Sequence, residues 1–99
     1  MLVPHDMKGQ IIGVLGLGGS GLAAVAALEA AGAHVFAFDD VQSQQDIPQI
    51  TLISWRDWPW EDLEAMVISP GIPHNYPMPH PAAAHAHRRQ IPIISEVEL

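Results

Sequence analysis

Gln10-Ile-Ile-Gly-Val-Leu15, then Gly16-Leu-Gly-Gly-Ser-Gly21, then Leu22 to Ala31 closed by Gly32-Ala33, then His34-Val-Phe-Ala-Phe-Asp-Asp40: these thirty-one residues decide the fold. The first run is almost continuously apolar and stops at glycines, as a strand buried on both faces of a parallel sheet does. Gly16, Gly18 and Gly21 match G-x-G-x-x-G. The stretch Ser20–Ala31 that follows is rich in alanine, with Leu22, Val25, Ala26 and Leu28, and Gly32 stands where a helix ends in a left-handed residue. A second apolar strand, His34–Phe38, ends at an acidic pair 23 residues after Gly16. Strand, glycine turn, helix, strand and acidic tip form one βαβ unit of about thirty residues.

The parts of the turn have separate physical tasks. Gly16 permits the sharp bend, and Gly18 lacks the Cβ that would keep a diphosphate off the backbone. Gly21 lets the helix press on the strand. The amides of Gly19 and Ser20 lie at a positive helix end, and the Ser20 hydroxyl can cap the helix or donate to a phosphate oxygen. Asp39 and Asp40 stand at the carboxyl edge, where open α/β sheets bind ligands. An acidic residue there takes ribose hydroxyls in NAD enzymes and would equally accept from the imide N–H of a uracil. The motif points strongly to a nucleotide diphosphate and weakly to which one.

Working outward, Val41–Gln49 is polar and reads as a loop. Ile50–Ser54 reads as a short third strand, Trp55–Pro59 as a turn, Trp60–Ala65 as a short helix or helical turn, and Met66–Ser69 as a fourth strand. Pro70–Pro81 holds five prolines and reads as a stiff connection. Ala82–Arg89 is a second helix with Pro81 at its first turn, and Arg88 and Arg89 favour its negative end. Ile91–Ser95 is a fifth strand. The expectation is an α/β, Rossmann-like, three-layer domain with a mostly parallel five-stranded sheet, spanning residues 1–99.

Composition narrows the partners. Four Lys plus Arg face eleven Asp plus Glu, a formal net charge of −7. That balance disfavours nucleic acid and anionic membranes, so a bound phosphate must be held by local dipoles. There is no cysteine, hence no disulfide framework and no thiolate metal site. Gly9 to Leu28 carries no charge, but five of its residues between Gly13 and Gly21 are glycines. Each glycine costs a helix about 1 kcal/mol, so no targeting or membrane-spanning segment is expected. His80, His85 and His87 are spaced by five and two and share no helix face, so no metal site is expected. Trp55, Trp58 and Trp60 read as a core plug or lid beneath the third strand.

Ser69-Pro70-Gly71-Ile72 directly follows the fourth strand, and its Pro-Gly suits a type II turn that faces the same crevice as the glycine turn. With it the chain resembles the N-terminal domain of the D-glutamate-adding branch of the Mur ligase family. The matching stretches are Gly16–Leu22, Val35–Asp40, Val67-Ile-Ser-Pro-Gly-Ile-Pro73 and Ile91-Pro-Ile-Ile-Ser-Glu-Val-Glu-Leu99, in the family's order and spacing. Ser-Pro-Gly-Ile is the most telling, because the sister branch that adds L-alanine usually lacks Pro-Gly there. The resemblance implies a cytoplasmic protein that binds the UDP part of UDP-N-acetylmuramoyl-L-alanine in bacterial peptidoglycan precursor synthesis. It implies diphosphate over Gly18, Gly19, Ser20 and Gly21, uracil at Asp39 and Asp40, and Ser69, Pro70 and Gly71 lining the same pocket. Val41 departs from the family, where an arginine or another polar residue can stand.

The family's ATP-binding P-loop lies in a central domain that begins just beyond this point, and no G-x-x-x-x-G-K-[ST] occurs here. The chain is therefore read as a truncated piece, without catalytic residues. ATP and Mg2+ are expected in the full-length parent, as are central and C-terminal domains. Two other readings stay open: an NAD(P)-binding Rossmann domain of an oxidoreductase or redox-regulated protein, and an interaction domain with a vestigial site.

Overall fold

A computed structural model describes residues 7–69 and 80–95. Four parallel strands form one sheet in the order β2-β1-β3-β4. They are β1 (Ile11–Leu15), β2 (His34–Phe38), β3 (Ala65–Ile68) and β4 (Ile93–Ile94), with helix α1 (Gly19–Ala30) between β1 and β2 and helix α2 (Pro81–Arg88) between β3 and β4.

The pleat sorts the apolar residues onto two faces, since successive side chains of a strand point to opposite sides. Ile12 and Val14 of β1, Ala37 of β2 and Ala65 and Val67 of β3 pack with Ala24, Val25 and Leu28 of α1. Leu15, Met66 and Ile68 pack on the other face with Ala82, Ala83 and Ala86 of α2 and with Trp58 and Trp60. A helix on each face of a parallel sheet gives the expected three layers.

Both helices end alike. At α1, the Gly32 amide donates to Glu29 O and the Ala33 amide to Leu28 O, with Gly32 at φ +97°. At α2, the Gln90 amide donates to His87 O and the Ile91 amide to Ala86 O, with Gln90 at φ 59°. These are Schellman endings, in which the residue past the cap is left-handed and the next apolar residue packs back on the helix. In each case the chain is turned straight into a strand.

The expected third strand, and with it the five-stranded sheet, is corrected: the sheet has four strands among the described residues. Ile50–Ser54 contributes only an isolated parallel bridge, Leu52 to Ala37, at the outer edge of β2, with the Ile53 amide donating to Ala37 O. Side chains take up three more of its backbone groups. Gln44 accepts from the Leu52 amide and donates to Ile50 O, and the Trp58 indole donates to Ile53 O. A segment so satisfied has little left to give to a ladder. Of the short helix or helical turn expected at Trp60–Ala65, only a turn forms, at Trp60–Asp62, and a short 3-10 helix lies earlier, at Trp55–Asp57. The tryptophans do act as a core plug, on the sheet face that carries Leu15, Met66 and Ile68. Trp58 and Trp60 are buried there and Trp55 is half-buried. A Cβ at Gly13 would lie 2.5 Å from the Trp58 ring, so the missing side chain of Gly13 is what seats that indole on the central strand.

Candidate functional site: the glycine turn and the tip of the second strand

The register brings three strand ends level. Leu15 pairs with Phe38 on one side and with Ile68 on the other. Gly16, Asp39 and Ser69 therefore leave the carboxyl edge together. The chain crosses from β1 outward to β2 and later returns to β3 on the other side of β1, so this edge is where the strand order reverses and where such sheets open a crevice.

The turn is fixed from both neighbours. Gly16, at φ +93°, donates its amide to Phe38 O and accepts from Ser69 Oγ at 3.2 Å. The Ser69 amide donates to Leu15 O. The Leu17 amide donates to Asp39 Oδ2 at 2.7 Å, and Leu17 O accepts from Gln42 Nε2 at 3.0 Å, while the Leu17 side chain is fully buried. A Cβ at Gly21 would lie 1.9 Å from Gly16 O, whereas one at Gly18 or Gly19 would meet nothing within 4 Å. The glycines thus divide their tasks: Gly21 lets the helix close on the turn, and Gly18 and Gly19 leave backbone open to the outside.

Helix α1 begins with Gly18 as its cap and carries no side-chain hydrogen bond there and no acidic residue in its first turn. Ser20 lies inside the helix, so its capping role is excluded; it is an exposed residue beside the open glycines. The amides of the first helical turn have no partner within the helix and face that opening.

The two aspartates differ. Asp39 accepts three backbone amides: Leu17 at Oδ2, and Val41 and Gln42 at Oδ1, both at 2.8 Å. Desolvation by burial pushes its carboxyl up, but the amides of Gln42, Leu17 and Val41 together outweigh this and hold it below the ordinary carboxylate range. Asp40 is more open. Its Oδ2 meets His80 Nε2 at 2.6 Å, with the Asp40 side chain half exposed and that of His80 13% exposed. Val41, next along, is 90% exposed and its amide is pinned by Asp39.

Of the residues singled out in the sequence, Gly18, Gly19, Ser20, Gly21, Asp39, Asp40 and Ser69 are gathered at one edge. Pro70 and Gly71 lie outside the described residues. Sequence reasoning missed Gln42 and His80. Gln42 lies in a polar loop with no pattern to mark it. His80 had one local sign, since the residue before a proline at a helix start is the cap, and its Nδ1 indeed accepts from the Ala82 amide at 3.0 Å. Nothing local tells that its other nitrogen reaches Asp40. His85 packs on Trp60 at 4.5 Å. In chemical terms the edge offers amide donors and unobstructed backbone at one end and a carboxylate acceptor at the other, a complement for an anion joined to an N–H or hydroxyl donor.

Curated relatives were found, all described as UDP-N-acetylmuramoylalanine–D-glutamate ligase. That of Rhodospirillum rubrum is 38% identical over 107 residues, covering 99% of this chain and 22% of the relative. That of Paramagnetospirillum magneticum is 42% identical over 96 residues, covering 94% and 21%. That of Rhodopseudomonas palustris is 40% identical over 102 residues, covering 100% and 22%. No family model and no solved structure matches the chain. The chain spans about a fifth of the length of these relatives, and along nearly all of its own length it matches a segment of the UDP-N-acetylmuramoylalanine–D-glutamate ligases.

Proposed function

We propose that this chain is the N-terminal, UDP-binding domain of an ATP-dependent ligase that joins D-glutamate to UDP-N-acetylmuramoyl-L-alanine in the cytoplasm, during peptidoglycan precursor synthesis. The observation that carries the reading is the open backbone of Gly18 and Gly19 at the point where the strand order reverses, level with the acidic tip of β2. The diphosphate lies over Gly18–Gly21, held by α1 amides and the Ser20 hydroxyl. Because the chain is acidic, these local dipoles do the holding. Asp39 orders the turn from below, through Leu17, and lies close to the ligand. Asp40 accepts from the uracil imide. Ser69, with Pro70 and Gly71 after it, closes the wall on the β3 side.

Ligation chemistry belongs to the rest of the parent: ATP and Mg2+ activate the muramoyl-alanine carboxylate as an acyl phosphate, which the D-glutamate amine attacks. The chain binds and orients the substrate, and no catalytic residue is assigned to it. The relatives' shared name supports this reading. An NAD(P) reading is less well supported, because Asp39 already receives three amides and has little capacity left for two ribose hydroxyls.

The test is an NMR titration of the chain with UDP and, separately, NADH. UDP should shift the amides of Gly18–Gly21 and Val41 at millimolar ligand and bind more tightly than NADH. Gly18→Val should leave the fold intact, since the added carbons enter open space, and abolish the UDP shifts by filling the diphosphate position. Tighter NADH binding, or unchanged UDP affinity in Gly18→Val, refutes the assignment.

A further inference from the structure

His80 uses its two ring nitrogens in opposite senses. Nδ1 accepts from the Ala82 amide at 3.0 Å. A backbone N–H can only donate, so Nδ1 carries a lone pair in this arrangement, and the ring proton sits on Nε2. Nε2 faces Asp40 Oδ2 at 2.6 Å and therefore donates to it. A relay runs from the first turn of α2, through one imidazole, to the tip of β2, joining residues forty apart. The ring is held sideways as well: its edge meets the Trp55 indole at 6.3 Å and 73°, and the His80 side chain is mostly buried. Asp40 has no other hydrogen bond among the described residues, and half of its side chain faces outward. Oδ2 is thus engaged, and Oδ1 has no hydrogen bond among the described residues.

We propose that His80 is a positioning residue for ligand binding: by capping α2 with one nitrogen and holding Asp40 with the other, it fixes the rotamer in which Asp40 Oδ1 accepts the N–H of a uridine base. The inference rests on the uridine reading of the site. An unheld aspartate at an exposed strand tip samples several rotamers, and ordering it on binding costs affinity; a carboxylate held in place beforehand avoids that cost. The cap ties the device to the fold, since the helix itself selects the tautomer that donates to Asp40.

Two substitutions separate the two nitrogens. Asn at position 80 places an acceptor near Nδ1 and caps helices well, but it is too short to reach Asp40. Gln extends a donor toward the Nε2 position and is a poor cap. In the 99-residue chain titrated with UDP, His80→Asn should keep the melting temperature and bind UDP roughly tenfold more weakly. His80→Gln should melt lower and keep its UDP affinity. The ring 15N shifts of the wild type should report a protonated Nε2 and an unprotonated Nδ1. Equal UDP affinity in the wild type and His80→Asn overturns the proposal, as do stability and affinity that fall together in both variants. A wild type that shows no UDP-induced shifts at all sinks the uridine reading, and the proposal with it, an outcome distinct from either of these.

Discussion

A methyl group added at residue 13 has nowhere to go. Gly13 lies in the middle of β1, facing α2, and an added Cβ would stand 2.5 Å from one carbon of the Trp58 ring and 2.8 Å from a second. That ring is 4% exposed, and its indole N–H is tied to Ile53 O at 2.9 Å, so it cannot swing aside as the tip of a flexible chain would. Overpacking of this kind costs about 1–3 kcal/mol. We expect Gly13→Ala to lower the unfolding free energy by that amount, read as a lower urea midpoint at unchanged slope, and to alter tryptophan fluorescence, while the glycine turn still folds. An unchanged midpoint and emission would mean that the indole is not seated there. Other single residues carry comparable constraints. At Gly21 an added Cβ meets backbone, Gly16 O, not a side chain, and Asp39 joins the glycine turn to the acidic tip through one carboxylate.

Among the elements, the helix endings show most clearly which local signals the sequence carries. Gly32 is at φ +97°, and its identity announces the end of α1. Gln90 occupies the equivalent place after α2 at φ 59°, with the same pair of hydrogen bonds, and no sequence rule marks a glutamine for it. A left-handed conformation costs a residue with a side chain about 1–2 kcal/mol, and glycine returns part of that gain as unfolded-state entropy of about 0.5–1 kcal/mol. Gln90→Gly should therefore stabilise the chain by roughly 0.5 kcal/mol, read as a higher urea midpoint with an unchanged slope; a lower midpoint would show that the Gln90 side chain contributes more than its backbone strain removes. The same contrast explains what was legible. Continuous apolar runs mark β1, β2 and β3 nearly to the residue, and for β1 and β3 burial on both faces leaves a plain signature. Ile50–Ser54 looks equally apolar, yet Gln44 and Trp58 take up its backbone groups, and pairings across six or eight residues by a flexible amide are not written in any periodicity. The turn side of the candidate site was readable because glycine spacing reports backbone geometry. Its far side, the contact of His80 with Asp40, depends on where α2 docks, which is a property of the assembled layers.

At the scale of the whole molecule, the layer formed by α2 and the tryptophans holds the imidazole whose protonation the fold opposes. His85 projects from α2 onto Trp60, ring centroids 4.5 Å apart and nearly perpendicular, and lies 6.3 Å from Trp55. Desolvation lowers its pKa below the ordinary imidazole value, and the positive charges of Arg88 and Arg89 push it the same way. The native state therefore binds a proton at this ring less readily than the unfolded chain does. Stability is unpenalised above the unfolded value of about 6.5. It falls as the pH drops from there toward the lowered native value, because the unfolded state takes up the proton first, and the full penalty is present below the native value. The proton on His85 would be opposed by burial and by the two arginines, so acid loosens the packing of α2 on the sheet, and with it the helix whose cap holds Asp40. Every other ionisable side chain is common to wild type and variant, so the difference between the two isolates this ring. Urea unfolding at pH 7.5 and pH 5 should show a larger loss of stability in the wild type than in His85→Gln, which cannot take up a proton at that position. Equal losses in the two proteins would mean that residue 85 is as freely protonated in the folded layer as in water, and that the helix rests on the tryptophans without excluding solvent from this ring.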